Sequence, residues 1–408
     1  MDALAASLIA VPAAVFGYSY FGYPAALWLA ARGRARAHAL RSSAAEGRGS
    51  EEDWPTISIT IPAYNEAASI RGTIERLLAL PYPAHLRQIL IVSDASSDGT
   101  DDIVREYADR GVELLRLPQR GGKVVAENAA VAHLRGEIVV NMDATIGLTP
   151  ESLRALIRAF RDPSVGVASG RDVSVGDVAR EGNSAESGYV GYEMWVRGLE
   201  TRLGTIVGAS GCFYAIRREL IVRDFPGDLS RDFVSPLAAW ERGYRSVSVD
   251  DALCFVPRTR SLRSEYRRKV RTMARGLRTL WTRRHLMNPL RHGRFAWMLL
   301  SHKLARWLVF PTAPLALVGL VLLHEHWWAR ALLALSALGV VLGIAGWRWP
   351  DDRKVPRLLA VPGFLLASVV ASLAAWARAI GGARDAVWEP TRRPAAEPAG
   401  EPMVEAAK

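Results

Sequence analysis

Residues 139–148 read VVNMDATIGL. A run of β-formers ends in Asp143, Ala144 and Thr145, with a glycine two residues on. A carboxylate at the tip of a buried strand is costly unless it is paired or used. Working upstream, GGKVVAENAAVAHLRG (121–136) is a helix opened by two glycines and closed by Gly136. VELLRLP (112–118) is a strand, and DDIVREYADRG (101–111) a helix with acids in its first turn and Gly after its end. QILIVSDASSDGT (88–100) is a strand and turn. In AASIRGTIERLLAL (67–80), Ile70, Ile74, Leu77 and Leu78 recur at helical spacing. ISITIPAYNE (57–66) is the first strand, and TPESLRALIRAF (149–160) is a further helix with Thr149 as its N-cap.

Strand and helix alternate four times, which predicts a doubly wound, mostly parallel α/β sheet with ligands at the carboxyl ends of its strands. Glu66, Asp94 and Asp143 each follow a strand end. Beyond Asp172 the pattern loosens. There is a helix within 189–203, a glycine-rich turn around Gly208 and Gly211, a short strand, a helix after SRDF (230–233), and a strand at 245–256.

The flanks differ. Ala3–Ala31, Trp307–Leu323, Ala331–Trp347 and Leu358–Trp376 carry no Asp, Glu, Lys or Arg. Each is long enough, with tilt or snorkelling, to cross a hydrocarbon core of roughly 30 Å. The first lacks the basic start of a signal peptide and is read as an anchor. Arg32, Arg34, Arg36, Arg41 and Arg48 follow it, which places the next segment in the cytosol. The expected order is an anchor (1–31), a linker (32–54), a cytosolic α/β domain (55–258), basic interfacial helices (259–294), a region of about three spans (295–380) and a disordered tail (381–408). Four spans put the two termini on one side, whereas Arg378, Arg384, Arg392 and Arg393 favour the inside for the C-terminus.

The net charge is +11, much of it between Arg258 and Arg306. A basic run beside apolar spans meets anionic headgroups, and no aromatic-interleaved motif points to nucleic acid. Cys212 and Cys254 have no metal-ligand spacing. PAYNEA (62–67) lacks the glycine fingerprint of a nicotinamide site, and no P-loop is present. Only five of the 52 basic residues are lysines, so Lys123, after two glycines at a helix start, stands out: the backbone N–H groups there, the helix dipole and the lysine together suit a phosphate.

These runs, in this order, resemble the family 2 glycosyltransferases: inverting nucleotide-sugar enzymes of the GT-A fold. The likeness is greatest to the membrane-integrated branch that makes hyaluronan, chitin, cellulose and poly-N-acetylglucosamine. The matching stretches are SITIPAYNEAASI, IVSDASSDGT, RGGK with AENAAV, NMDAT, GASGCFYAIRREL, SRDF and YRRKVRTMARG. The resemblance implies that the backbone at Ala63 and Tyr64, with Glu66, cradles the nucleoside and that Asp94 bonds the base, commonly uracil. It implies Lys123 near the donor phosphates, Asp143 with Mg²⁺ or Mn²⁺ on the diphosphate, and Asp232 as the base that deprotonates the acceptor. It further implies a UDP-sugar donor, a glycan or lipid-linked acceptor, and a multi-pass protein of the inner or plasma membrane with a cytosolic catalytic domain.

Two departures stand out. Arg231 precedes Asp232 where the family often has an acid; it either lowers the aspartate's pKa or faces solvent. The Gln-x-x-Arg-Trp of processive members reads Arg268, Lys269, Val270, Arg271, Thr272 here. The Arg is kept and set at the diphosphate, while the Gln and Trp are lost. Polymerisation therefore has two rivals: transfer of a single sugar to a polyprenyl phosphate or lipid-linked glycan, and a non-catalytic nucleotide-sensing partner.

Overall fold

The computed structural model describes residues 2–33, 54–175, 184–257, 262–350 and 355–382. Most of the expected linker and tail lies outside these residues. The chain divides into two compact units. One comprises 1–30, 176–189 and 259–384, and the other 31–175, 190–258 and 385–408.

Two N-terminal helices, α1 (Asp2–Gly17) and α2 (Tyr23–Arg32), meet at a π-helical turn over Tyr18–Gly22. The sheet unit follows. Its first half is β1 (Ile57–Ala63), α3 (Ala67–Ala79), β2 (Arg87–Ser93), α4 (Thr100–Arg105), β3 (Val112–Arg116), α5 (Lys123–Val131) and β4 (Ile138–Met142). Its second half is β5 (Gly147–Leu148), α6 (Ser152–Arg158), β6 (Val165–Val175), α7 (Ser184–Arg202), β7 (Phe213–Arg217), α8 (Arg231–Glu241) and β8 (Arg245–Pro257).

The eight strands form one sheet in the order β3-β2-β1-β4-β7-β6-β8-β5. β1 pairs in parallel with both β2 and β4, and β2 with β3, as the alternation predicts. The second half is mixed: β7 runs antiparallel to β4 and β6, β6 runs parallel to β8, and β5 runs antiparallel to β8. Both faces of the parallel half are covered. Ile57, Ile59 and Ile61 pack with Ile70, Ile74 and Leu77 of α3 on one side. Leu90, Val92 and Val139 pack with Ala126 and Ala130 of α5 on the other. β2 is accordingly a near-continuous apolar run from Ile89 to Val92, whereas β1 alternates, its buried Ser58 donating to Gln88 at 2.6 Å.

Two local expectations change. The helix after Thr149 starts at Ser152 and has no side-chain cap; instead the hydroxyls of Thr149 and Ser152 pair at 2.7 Å. Strand β6, VGVASGRDVSV, is absent from the sequence reading because Gly166 and Gly170 break its β signal. The close approach of β7 requires the second glycine, since a Cβ on Gly170 would lie 2.5 Å from the Phe213 ring.

The helical unit continues with α9 (Leu262–Thr282), α10 (Pro289–Leu299), a π-helical turn (Leu300–Ala305), α11 (Arg306–Leu322), α12 (Trp327–Trp347) and α13 (Arg357–Ile380). Among the described residues, four stretches are long and apolar enough to cross a membrane: Asp2–Arg32, Pro289–Leu322, Trp327–Trp347 and Arg357–Ile380. The helices approach closely through small residues, as helices in lipid do. A Cβ on Gly346 of α12 would stand 2.5 Å from the Leu359 carbonyl of α13. The basic helix α9 is amphipathic, and it buries Val270, Ala274, Leu277 and Leu280. Lys269 donates to Ser368 of α13 at 2.8 Å and sits over the Phe364 ring. Arg268 pairs with the buried Glu265 at 2.7 Å. The residues at 268 and 269 therefore serve helix packing.

Candidate active site

Because β1, β2 and β4 are parallel, their carboxyl ends share one edge of the sheet. β7 runs the other way, with Phe213 opposite Met142, so the residues before β7 arrive at that same edge. The Asp143 N–H extends this ladder by one bond, to the Cys212 carbonyl at 3.0 Å. From the other side, Thr73 of α3 donates to the Ala144 carbonyl at 2.6 Å. The turn that carries Asp143 is thus pinned on both flanks. Thr145, two residues on, is buried.

The turns after β1 and β2 interlock. Asn65 and Ala95 hold left-handed conformations, with φ of 55° and 56°. The Asn65 side chain accepts from the Ser97 N–H at 2.8 Å, and the Glu66 N–H donates to Thr100 at 2.8 Å. Asp98 spans the two turns, accepting from the N–H groups of Ala67 and Thr100. Glu66 precedes α3 and accepts from Ser69 at 2.7 Å. Ala63 is buried, and its carbonyl accepts from the Asp94 N–H. The Tyr64 ring carries the Arg120 guanidinium 4.0 Å from its centre.

Asp94 is buried, and each of its oxygens accepts a backbone N–H at 2.7 Å, from Gly121 and Gly122. These glycine N–H groups, expected to face a phosphate, are therefore turned to Asp94. Gly122 needs its freedom here, with φ at +88° immediately before α5. Each carboxylate oxygen of Asp94 keeps a second lone pair for another donor.

The first residue of α5 is Lys123. Its ammonium donates to Asp143 Oδ1 at 2.6 Å and to the Gly211 carbonyl at 3.3 Å, and it stands 4.0 Å from Glu127. Burial works against this charge, but Asp143 and Glu127 outweigh it and hold the lysine above its ordinary range. Lys123 is therefore a fixed cation.

Asp232 lies in the first turn of α8 and accepts from Ser230 at 2.7 Å. Its carboxylate faces Gly211, on which a Cβ would be 3.4 Å from Oδ2. The GASGC loop (208–212), which carries Gly211, is fixed by Ser210, whose hydroxyl donates to Asp172 and accepts the N–H groups of Cys212 and Phe213. The Arg197 guanidinium holds the same loop through the Ala209 carbonyl. One edge thus brings together Ala63, Tyr64, Glu66, Asp94, Lys123, Asp143 and Asp232. Arg271 lies on α9, in the helical unit.

Arg231 does not face solvent. Its side chain is 10% exposed and donates to Glu127 at 3.1 Å. Glu127, Asn128, Ser210 and Arg197 were not singled out from sequence. Only Glu127 left a signal there, one helical turn after Lys123 on the same face.

Among the described residues no three His, Cys, Asp or Glu side chains form a metal cage. The donor set is one carboxylate, Asp143, 24% exposed with one oxygen held by Lys123. Such a set fits a hard divalent ion that takes most of its shell from a ligand's phosphate oxygens and water.

A family profile described as Glycosyl transferase family 2 matches residues 58–225. An N-acetylglucosaminyltransferase of Rhizobium leguminosarum bv. trifolii is 31% identical over 141 residues, 33% of this chain and 76% of that protein. Another, from Rhizobium sp. strain N33, is 26% identical over 220 residues, 49% of this chain and 48% of the relative. The chain thus spans about half the length of the first curated relatives it matches. Among solved structures, the mannosyltransferase PcManGT from Pyrobaculum calidifontis, in complex with GDP-Man and Mn²⁺, has a TM-score of 0.65 at 21% identity. It covers 92% of this chain and 100% of its own, a likeness of fold.

Proposed function

The chain belongs to glycosyltransferase family 2, and on that premise we propose that it is an inverting sugar transferase acting at a membrane. The donor is a nucleotide-sugar, read as a UDP-sugar, and the acceptor is a glycan or a lipid-linked sugar. The observation that carries this reading is the arrangement around Gly211. A fixed cation and a carboxylate, Lys123 and Asp143, lie on one side of it, and a second carboxylate, Asp232, faces it.

Inversion is one in-line displacement. The acceptor oxygen bonds to the anomeric carbon as the bond from that carbon to the diphosphate oxygen breaks. Asp232 takes the acceptor's proton, and Lys123 faces the charge that develops on the departing diphosphate. Asp94 receives the base, with Ala63, Tyr64 and Glu66 around the nucleoside. Asp143 would hold Mg²⁺ or Mn²⁺, which supplies charge neutralisation on the diphosphate. The four apolar helices support a multi-pass protein, and the arginines that follow the first of them, from Arg32 to Arg48, favour this domain in the cytosol.

The altered positions at 268 and 272, where the Gln and Trp are lost, favour addition of one sugar to a lipid-linked acceptor over polymerisation. The test uses the full chain in lipid nanodiscs with a panel of UDP-, GDP- and dTDP-sugars, scoring nucleotide release and product size. Release from one donor with single-sugar products supports the reading. Long products restore the polymerase, and nucleotide binding without release makes the protein a sensor.

A further inference from the structure

Glu127 is a carboxylate only 7% exposed, and nothing in the proposed transfer uses it. Its two oxygens have different partners. Oε1 lies 4.0 Å from the Lys123 ammonium, and Oε2 accepts from Arg231 Nε at 3.1 Å. Arg231 opens α8 and is followed by Asp232. Its remaining N–H groups reach the Val222 carbonyl at 3.2 Å and the Asn128 side chain, and its plane lies over the Phe225 ring. Asn128 in turn holds the Phe225 backbone, donating to its carbonyl at 2.9 Å and accepting its N–H at 3.1 Å. Two consecutive residues of α5 therefore grip the loop and first turn that present Asp232, and the preceding turn of α5 presents Lys123.

We propose that Glu127 is a positioning residue, which sets the separation of the donor-side lysine and the acceptor-side base by facing the Lys123 ammonium at 4.0 Å with one oxygen and bonding Arg231 with the other. The inference rests on the roles given above to Lys123 and Asp232. An exposed ion pair would be too weak and mobile for this task. Here the partners are 7% and 10% exposed, and the guanidinium also has fixed neighbours. Burial pushes the Glu127 carboxyl upward against the pull of Lys123 and Arg231, so its charge depends on both cations. Rates are steep in such separations, since a misplacement of about 1 Å can cost about a hundredfold.

The test measures transfer, donor KM, UDP affinity and unfolding temperature for the full chain and four variants: Glu127→Gln, Glu127→Asp, Arg231→Met and Glu127→Gln/Arg231→Met. Each single loss of the pair is expected to lower kcat about 10- to 100-fold, with donor KM within about threefold. The double variant should be no slower than the worse single, as for residues acting as one unit. Glu127→Asp should recover part of the loss. A fifth variant, Glu127→Leu/Arg231→Met, removes both charges and guards against simple unfolding, because a buried ion pair replaced by apolar residues is often no less stable. It should unfold like the wild type and still transfer slowly. Wild-type kcat in either apolar-paired or Gln variants, or losses that multiply in the double, would sink the proposal. An inert wild type would instead overturn the assigned function and leave this pair without a reaction to position.

Discussion

Gly211 and Asp232 approach so closely that a Cβ on the glycine would stand 3.4 Å from Oδ2 of the aspartate. That is ordinary contact, so the fold tolerates a methyl group there. The methyl would nevertheless occupy the space beside the proposed base, on a residue whose carbonyl binds Lys123. Gly211→Ala is expected to fold and bind UDP normally and to transfer roughly 10- to 100-fold more slowly. Gly211→Val should lose more. Equal transfer rates for glycine and valine would show that the acceptor does not pass this point.

Asp232→Asn preserves shape and the bond from Ser230 but cannot take a proton. Transfer should fall by about 10²–10⁴-fold while UDP affinity stays unchanged. Near-normal turnover would move the base elsewhere, with Asp251 and Asp228 the next acids to test.

Asp98 ties the two donor-side turns together without touching the proposed chemistry. Burial alone would raise its pKa. Its bonds from the Thr100 side chain and the backbone N–H groups of Ala67 and Thr100 outweigh that and lower it below the ordinary 3.8. A carboxylate with a lowered native pKa adds stability that is full above the unfolded value and fades as pH falls through the native one. Asp98→Asn should therefore unfold at a lower temperature than the wild type near neutral pH. The gap should close in acid, below about pH 4. A gap independent of pH would mean that the turn relies on shape and not on charge.

The parallel half of the sheet was legible because its signals are local. Apolar runs, helical spacing and turn residues recur within one or two elements, and the acids at 66, 94 and 143 fall at strand ends without knowledge of the pairing. The mixed half was less so. β6 carries two glycines whose value lies in contact with Phe213, Leu220 and Tyr244, residues distant in sequence. The same limit explains Arg231. Its two expected fates, tuning Asp232 or meeting solvent, considered only its neighbours in sequence, while its partner Glu127 lies 104 positions away. It also explains Gly121 and Gly122, whose N–H groups suit a phosphate until β2 delivers the Asp94 carboxylate to them.

Asp143 and Thr145 decide how a divalent ion would be held. Asp143 has one oxygen committed to Lys123, and Thr145, two residues on, offers a buried hydroxyl and not a second acid. A nucleotide diphosphate already supplies negative charge, and Mg²⁺ or Mn²⁺ retains several waters, so a single protein carboxylate suffices. Asp143→Asn should abolish the dependence of UDP affinity on either metal, and transfer with it. Thr145→Ala should weaken the metal response modestly. Thr145→Asp should lower the metal concentration needed for half-maximal UDP binding, since it adds an anionic oxygen donor next to the first. UDP binding and transfer measured against Mg²⁺ and Mn²⁺ concentration for the three variants separate these cases. An Asp143→Asn protein with the parent's metal response would place the ion on other residues, or remove it from the reaction, and the tip of β4 would then serve only to anchor Lys123.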